Sequence, residues 1–193
     1  AYTIVEGVAW DHLDATAEEI AVVQKADAVC FGTLALRSPQ TRQAVITLLK
    51  NAPQAAYKLF DVNLRSNYYS KELIDELLQE ANVFKINDEE MVKVQELFGL
   101  HLSDEEICKW FIQKYDLRYL IFTAGEKYSI VYSAGGEKSY LDTPKVKVAD
   151  TVGAGDSFSA GFVMGLLTGK SMREAHKQAV ATAAFVCTKS GAW

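Results

Sequence analysis

Asp150-Thr151-Val152-Gly153-Ala154-Gly155-Asp156-Ser157-Phe158 decides how this chain is read. The segment leaves an extended stretch, passes through three small residues, and enters an apolar helix marked by Phe158, Phe162 and Leu166. A helix start carries unpaired N–H groups and a partial positive charge, so it attracts anions. Small side chains at Gly153, Ala154 and Gly155 let a phosphate come close to that backbone. Asp156, in the first turn, then lies beside the same anion and can take a proton from an attacking hydroxyl. Such general-base help is worth about 10²–10⁴-fold. In a shorter Gly-x-Gly-Asp, the aspartate would only complement the helix dipole and the glycines would only permit packing. The whole string ahead of a long helix favours the chemical reading.

Working outward, two periodicities alternate. Apolar runs at 28–36, 57–64, 83–87 and 119–123 suit strands buried on both faces. Helical patterns separate them at 16–25, 39–50, 71–80, 88–98 and after the capping box Ser103-Asp104-Glu105-Glu106. Ser38, ahead of Pro39, and Ser70 stand at cap positions. Strand then helix, repeated, predicts a parallel sheet with helices on its faces, a three-layer αβα, Rossmann-like arrangement. After Thr123 the pattern changes. Residues 128–132 alternate, Gly135-Gly136 turns, and 138–148 is extended, which predicts an antiparallel hairpin at one edge. Two helical segments, 153–167 and 171–188, end the chain. A dinucleotide-binding dehydrogenase needs Gly-x-Gly-x-x-Gly after its first strand. Here 28–36 runs into Arg37-Ser38-Pro39, which excludes that reading.

Composition bounds the rest. The 193 residues are 49% hydrophobic and 23% charged, values that support a real core in one domain. Twelve glycines and three prolines are too few for a low-complexity chain. A net charge of −5 argues against nucleic acid as a partner, and no apolar run approaches the length of a membrane span. Cys30, Cys108 and Cys187 are scattered, and His12, His101 and His176 stand alone. That pattern predicts neither disulfides nor zinc, and a reduced, cytoplasmic setting. Cys30 and Cys187 read as buried thiols and the histidines as surface residues. The chain opens at Ala1 straight into folded-looking sequence, so it reads as a piece of a longer protein.

The segment 150–158 closely resembles the second signature of the ribokinase-like sugar kinases, the PfkB carbohydrate kinase family. Four further segments resemble that family in its own order: Asp61-Val62-Asn63-Leu64-Arg65, Lys85-Ile86-Asn87-Asp88-Glu89-Glu90, Thr123-Ala124-Gly125 and Thr188-Lys189-Ser190-Gly191-Ala192. The resemblance implies ATP-dependent phosphorylation of a sugar hydroxyl. Asp156 would be the base, and Gly153, Ala154 and Gly155 the anion hole. Asn87 and Glu90 would organise Mg²⁺ through water, while Asn87, Thr123 and Gly125 would border the nucleotide. Asn63 and Arg65 would meet the sugar. A K⁺ site would fall at Asp150 and the carbonyls of Val152, Val186, Lys189 and Gly191. The plainer alternatives are an Asn cap at Asn87, an ordinary turn at Thr123 and a surface arginine at Arg65.

Within the family, 61–65 and 85–90 look most like fructokinases, with 2-keto-3-deoxygluconate kinase and ribokinase as alternatives. A non-catalytic nucleotide-binding protein that kept the fold is the alternative from another class; the presence of Asp156 argues against it. Nothing before residue 61 resembles the family's first, glycine-rich signature. Residues 1–193 are therefore expected to be the C-terminal portion of such a kinase domain, without the N-terminal part and the lid. The chain alone is expected to have little or no kinase activity, and its uncovered apolar surface favours a homodimer.

Overall fold

The computed structural model describes residues 3–191. They form two compact units, residues 3–82 and 83–191. The start at Ala1 and the expectation at Ala192 lie outside the described residues.

In residues 3–82, α1 (Ala17–Val23) begins at a Thr16–Glu19 capping box. β1 (Ala28–Phe31), α2 (Pro39–Asn51), β2 (Tyr57–Asp61) and α3 (Lys71–Glu80) follow. β1 and β2 pair in parallel, Ala28 opposite Tyr57 through Phe31 opposite Phe60. The apolar run 28–36 is not one strand. At Gly32 a Cβ would lie 2.8 Å from the Asp61 carbonyl oxygen, so the chain is pressed against the end of β2. Thr33 then turns helical, its hydroxyl donating to the Val62 carbonyl at 2.8 Å, and Leu34–Arg37 forms a 3-10 turn. Ser38 stands at the start of α2 but does not cap it; its hydroxyl donates to the Asp11 carbonyl at 2.6 Å. Ser70 does cap α3, accepting from the Leu73 N–H.

In residues 83–191, β3 (Val83–Asn87) and β4 (Tyr119–Thr123) are parallel, with Val83 opposite Tyr119 and Asn87 opposite Thr123. β5 (Tyr128–Ser133) and β6 (Lys138–Asp142) extend this sheet antiparallel, as the hairpin pattern predicts. β6 stops at Asp142 rather than continuing to 148, because Pro144 has no N–H to donate. The helices are α4 (Asp88–Phe98), α5 (Asp104–Tyr115), α6 (Ala154–Leu167) and α7 (Met172–Cys187).

Successive strand residues point to opposite faces of a sheet. Phe84 meets Phe111 of α5, with ring centres 5.2 Å apart. On the other face Tyr119 meets Phe162 of α6 at 5.6 Å. This unit is thus a helix–sheet–helix sandwich. α6 and α7 cross very closely: a Cβ on Gly165 would sit 2.8 Å from the Ala175 Cα, and one on Gly161 3.0 Å from the Ala179 Cα.

Two side-chain expectations are overturned. His176 is fully buried, its ring bracketed by the Ser129 and Ser139 hydroxyls at 2.8 and 2.9 Å, so it fastens α7 to the hairpin. Burial pushes its pKa down to about 4. Cys30 is exposed and Cys187 half-buried; Cys108 is the buried thiol. Val29 and Phe31, its immediate neighbours, point to the opposite face of the short strand, so they do not cover it.

Candidate active site

The parallel strands β3 and β4 end side by side at Asn87 and Thr123, the edge where open α/β sheets bind ligands. A cavity of about 380 Å³ opens there, lined by residues of 83–191 alone. Asn87, Asp88 and Glu89 form one side, Thr123, Gly125 and Thr143 another, and Ala154 and Gly155 bring in the start of α6. Val180, Ala183, Ala184 and Cys187 close it with an apolar stripe of α7, at the i, i+3, i+4, i+7 spacing of one helix face.

Gly153 is left-handed, with φ of +81°, and swings the chain from extended to helical. No side chain caps α6. The Ala154 N–H turns back to the Thr151 carbonyl at 3.2 Å, so it is already engaged. The N–H groups of Gly155 and Asp156 belong to the same first turn, where a helix presents its positive end. Asp156 is exposed on that turn and is not among the residues that line the cavity, although Ala154, Gly155 and Phe158 around it are.

Asn87 and Glu90 form a reciprocal capping box. Asn87 Oδ1 accepts from the Glu90 N–H at 2.8 Å, and Glu90 Oε2 accepts from the Asn87 N–H at 3.1 Å. The Asn cap of the plainer alternative is therefore realised; Asp88 and Glu89 line the cavity, whereas Glu90 is buried in the cap and does not. Among the described residues no cluster of three His, Cys, Asp or Glu side chains could hold a metal. A few oxygen donors at one rim suit a cation that keeps most of its water, which is how Mg²⁺ is usually held. Asp88 also faces Lys127, whose Nζ lies 3.9 Å from its carboxylate.

Gly125 has φ of +53°, and its carbonyl accepts from the Thr143 hydroxyl at 3.0 Å, which fixes the turn after β4. Asp150 ties two loops together. It accepts from the Val152 N–H at 3.0 Å and from the Gly191 N–H at 3.2 Å, and these bonds lower its pKa, that from Val152 most. The Cys187 carbonyl accepts from the Ala149 N–H, and that of Val186 from the Lys189 N–H. The carbonyl-bearing segments around Val152 and 186–191 are thus brought together, although Val186 already spends one lone pair locally.

Asn63 and Arg65 belong to the other unit, just after β2. Asn63 (φ +42°) and Ser66 (φ +48°) are both left-handed, and Arg65 donates to the Leu64 carbonyl at 3.2 Å. Backbone held this way on either side of an arginine is costly and collects at functional sites.

The sequence reading missed Lys85. It is only 7% exposed, lines the cavity, and its Nζ lies 3.3 Å from where a Cβ on Gly155 would be. The available signal was a charge inside the otherwise apolar run 83–87, two residues from Asn87 and hence on the same strand face.

Known proteins resemble the chain along its length. It is 31% identical over 162 residues to the 5-dehydro-2-deoxygluconokinase of Geobacillus thermodenitrificans, covering 80% of this chain and 47% of that protein. It is 29% identical over 132 residues to the nucleoside kinase of Methanocaldococcus jannaschii, covering 68% and 41%. The crystal structure of that nucleoside kinase, described as an archaeal member of the ribokinase family, superposes with a TM-score of 0.69 at 25% identity, over 86% of this chain and 51% of its own. An uncharacterized sugar kinase of Pyrococcus horikoshii in complex with ATP shares the fold, with a TM-score of 0.82 at 22% identity, over 100% of this chain and 62% of its own. The chain spans about half the length of the curated relatives it matches. The description "pfkB family carbohydrate kinase" matches residues 4–193. With nearly its whole length matched, the chain belongs to the pfkB family of carbohydrate kinases.

Proposed function

We propose that the protein carrying this chain transfers the γ-phosphoryl group of ATP to a sugar hydroxyl, and that residues 83–191 hold the nucleotide. The convergence of Asn87, Thr123, Gly125 and the start of α6 on one cavity carries this reading. The adenine side lies along the apolar stripe of Val180, Ala183, Ala184 and Cys187, and the phosphates lie toward Gly155. The N–H groups of Gly155 and Asp156 face the equatorial oxygens of the moving phosphoryl group, where each well-aimed donor is worth about 10²–10³-fold.

Asp156 accepts the proton of the sugar hydroxyl. That oxygen forms the new bond to the γ-phosphorus, the bridging P–O bond breaks, and ADP leaves with the electron pair. Asn87 and the carboxylates of 88–90 would hold Mg²⁺ through its waters, and the ion would supply charge neutralisation at the phosphate oxygens. K⁺ would lie between Asp150 and the carbonyls of 186–191 and stiffen the loop before α6 without touching substrate.

Fructose is the sugar we favour, from the resemblance of 61–65 and 85–90 to fructokinases. The second reading is a keto-sugar acid, because the guanidinium of Arg65 suits a carboxylate and the 31% relative is named 5-dehydro-2-deoxygluconokinase. A coupled assay with ATP and fructose, 2-keto-3-deoxygluconate or ribose separates them. In the whole kinase, Asp156→Asn should abolish turnover on the accepted sugar while nucleotide binding persists. Turnover that survives this change would refute Asp156 as the base.

A further inference from the structure

We propose that Ser129 recognises the purine base of the nucleotide by donating its hydroxyl hydrogen to a ring nitrogen, and that His176 is the positioning residue that turns this hydroxyl toward the cavity. The inference rests on the reading of the cavity as a nucleotide site and adds a specificity-determining contact to it.

Three polar residues form one row across the sheet. Asn87 on β3 stands opposite Thr123 on β4, and Thr123 stands opposite Ser129 on β5. Residues in register share a face, and all three line the cavity. Phe158 and Val180 add apolar wall to the same cavity. His176 lies one helical turn before Val180 and packs against Phe158, with ring centres 5.8 Å apart. A hydroxyl set among apolar walls suits a flat ring with acceptor atoms on its edge.

The direction of the Ser129 hydroxyl follows from hydrogen-bond accounting. His176 is fully buried and burial lowers its pKa to about 4, so near neutral pH its ring is uncharged, with one N–H and one lone pair. Its two serine partners therefore play opposite parts: one donates to the ring and the other accepts from it. The serine that accepts must place its own hydrogen elsewhere. Ser139 is 1% exposed, does not line the cavity and has no other hydrogen-bond partner among the described residues. A buried O–H donor without an acceptor is costly, whereas an unused lone pair costs less. Ser139 therefore donates to Nδ1, at 2.9 Å, and the Nε2–H donates to Ser129 Oγ, at 2.8 Å. That leaves the Ser129 hydrogen for the cavity. The relay runs one way, from the hairpin through α7 to the ligand, and selects an acceptor rather than a donor at this point.

Calorimetry on this chain with Mg-ATP, AMP and tripolyphosphate tests the contact. Ser129→Ala should weaken ATP and AMP alike, by about 3–10-fold, the range for one neutral hydrogen bond, and leave tripolyphosphate unchanged. Ser129→Thr, which keeps the hydroxyl, should restore most of the loss. Among 1-deaza-AMP, 3-deaza-AMP and 7-deaza-AMP, one should bind wild type and Ser129→Ala equally, because it lacks the nitrogen that Ser129 reads. Imidazole nitrogen NMR reads the relay without any substitution, and so decides even if Ser129→Ala fails to fold. His176 should carry its proton on Nε2, and the shift of that proton should move when AMP binds. A proton on Nδ1 instead, AMP affinity unchanged in Ser129→Ala, tripolyphosphate weakened as much as AMP, or all three deaza analogues still sensitive to Ser129→Ala would each refute the contact and leave the nucleotide site standing. If wild type binds no nucleotide, both fall.

Discussion

Residues 3–82 and 83–191 are both built from strand-then-helix repeats, but different forces hold them. In the first unit, a short parallel pair of strands leaves Cys30 exposed, and an ion-pair clamp with side chains only 7% and 8% exposed ties distant segments together. Arg37 grips Asp11 through Nε at 2.8 Å and Nη2 at 2.8 Å, donates to the Val5 carbonyl, and stacks on the Tyr68 ring at 4.7 Å. In the second unit, β3 to β5 are almost wholly buried, α6 and α7 touch backbone to backbone, and the central polar group is the buried His176. The cavity proposed to hold the nucleotide belongs to the second unit. A charged clamp tolerates nearby water, whereas phosphoryl transfer needs groups fixed in a dry, rigid frame.

The largest expected effect is chemical. In the whole kinase, Asp156→Asn should lower kcat by about 10²–10⁴-fold or more, with little change in thermal melting. Arg65→Ala, in the other unit, should instead raise KM for the sugar and leave ATP affinity alone. Steady-state kinetics with each substrate varied in turn reads both effects. If Arg65→Ala weakened ATP as strongly as sugar, the division of labour between the units would be wrong.

Packing comes next. Gly165→Ala places a methyl group 2.8 Å from the Ala175 backbone, where no side chain can yield. Overpacking of this kind costs about 1–3 kcal/mol. Chemical denaturation should show that loss, and ATP affinity should fall with it because α6 and α7 both line the cavity. Asp11→Ala removes the clamp from Arg37. It should raise hydrogen exchange around residues 5–14 and leave ATP affinity unchanged.

Acid should separate the units further. His176 has its pKa lowered to about 4 from 6.5 by burial. Between those values the unfolded chain takes up a proton that the folded chain refuses, so stability falls as pH drops through that window, at most by about 1.4 kcal/mol per pH unit. Asp11 is lowered to about 2 from 3.8, mainly by its hydrogen bond to Arg37, so its contribution is lost only as pH falls from 3.8 toward 2. Hydrogen exchange on an acid series should therefore show the α7–hairpin contact loosening before residues 5–14. The opposite order would mean that His176 does not control this unit. The smallest effect is at the rim. Lys127→Ala removes an exposed ion pair with Asp88 and should change stability by less than about 1 kcal/mol.

Local signals in the sequence carried much of the second unit. The run from Asp150 to Phe158 predicts a turn into a helix because small residues and a late apolar stripe are local properties, and α6 begins at Ala154. Asn87 and Thr123 read correctly as strand ends, since each closes an apolar run. What failed depends on distant neighbours. The break after Phe31 comes from the carbonyl of Asp61, thirty residues on. His176 is buried because two serines on a hairpin meet its ring, which no helical pattern reveals. Lys85 reads as a polar interruption until the start of α6 is seen against it.

In the proposed function, residues 83–191 hold the phosphates of ATP between the ends of β3 and β4 and the start of α6. Amide NMR shifts of this chain on titration with Mg-ATP test it most directly. The largest shifts are expected at Asn87, Thr123, Gly125, Gly155 and Asp156, with little change along residues 5–14. Shifts centred elsewhere, or none at millimolar nucleotide, would contradict it.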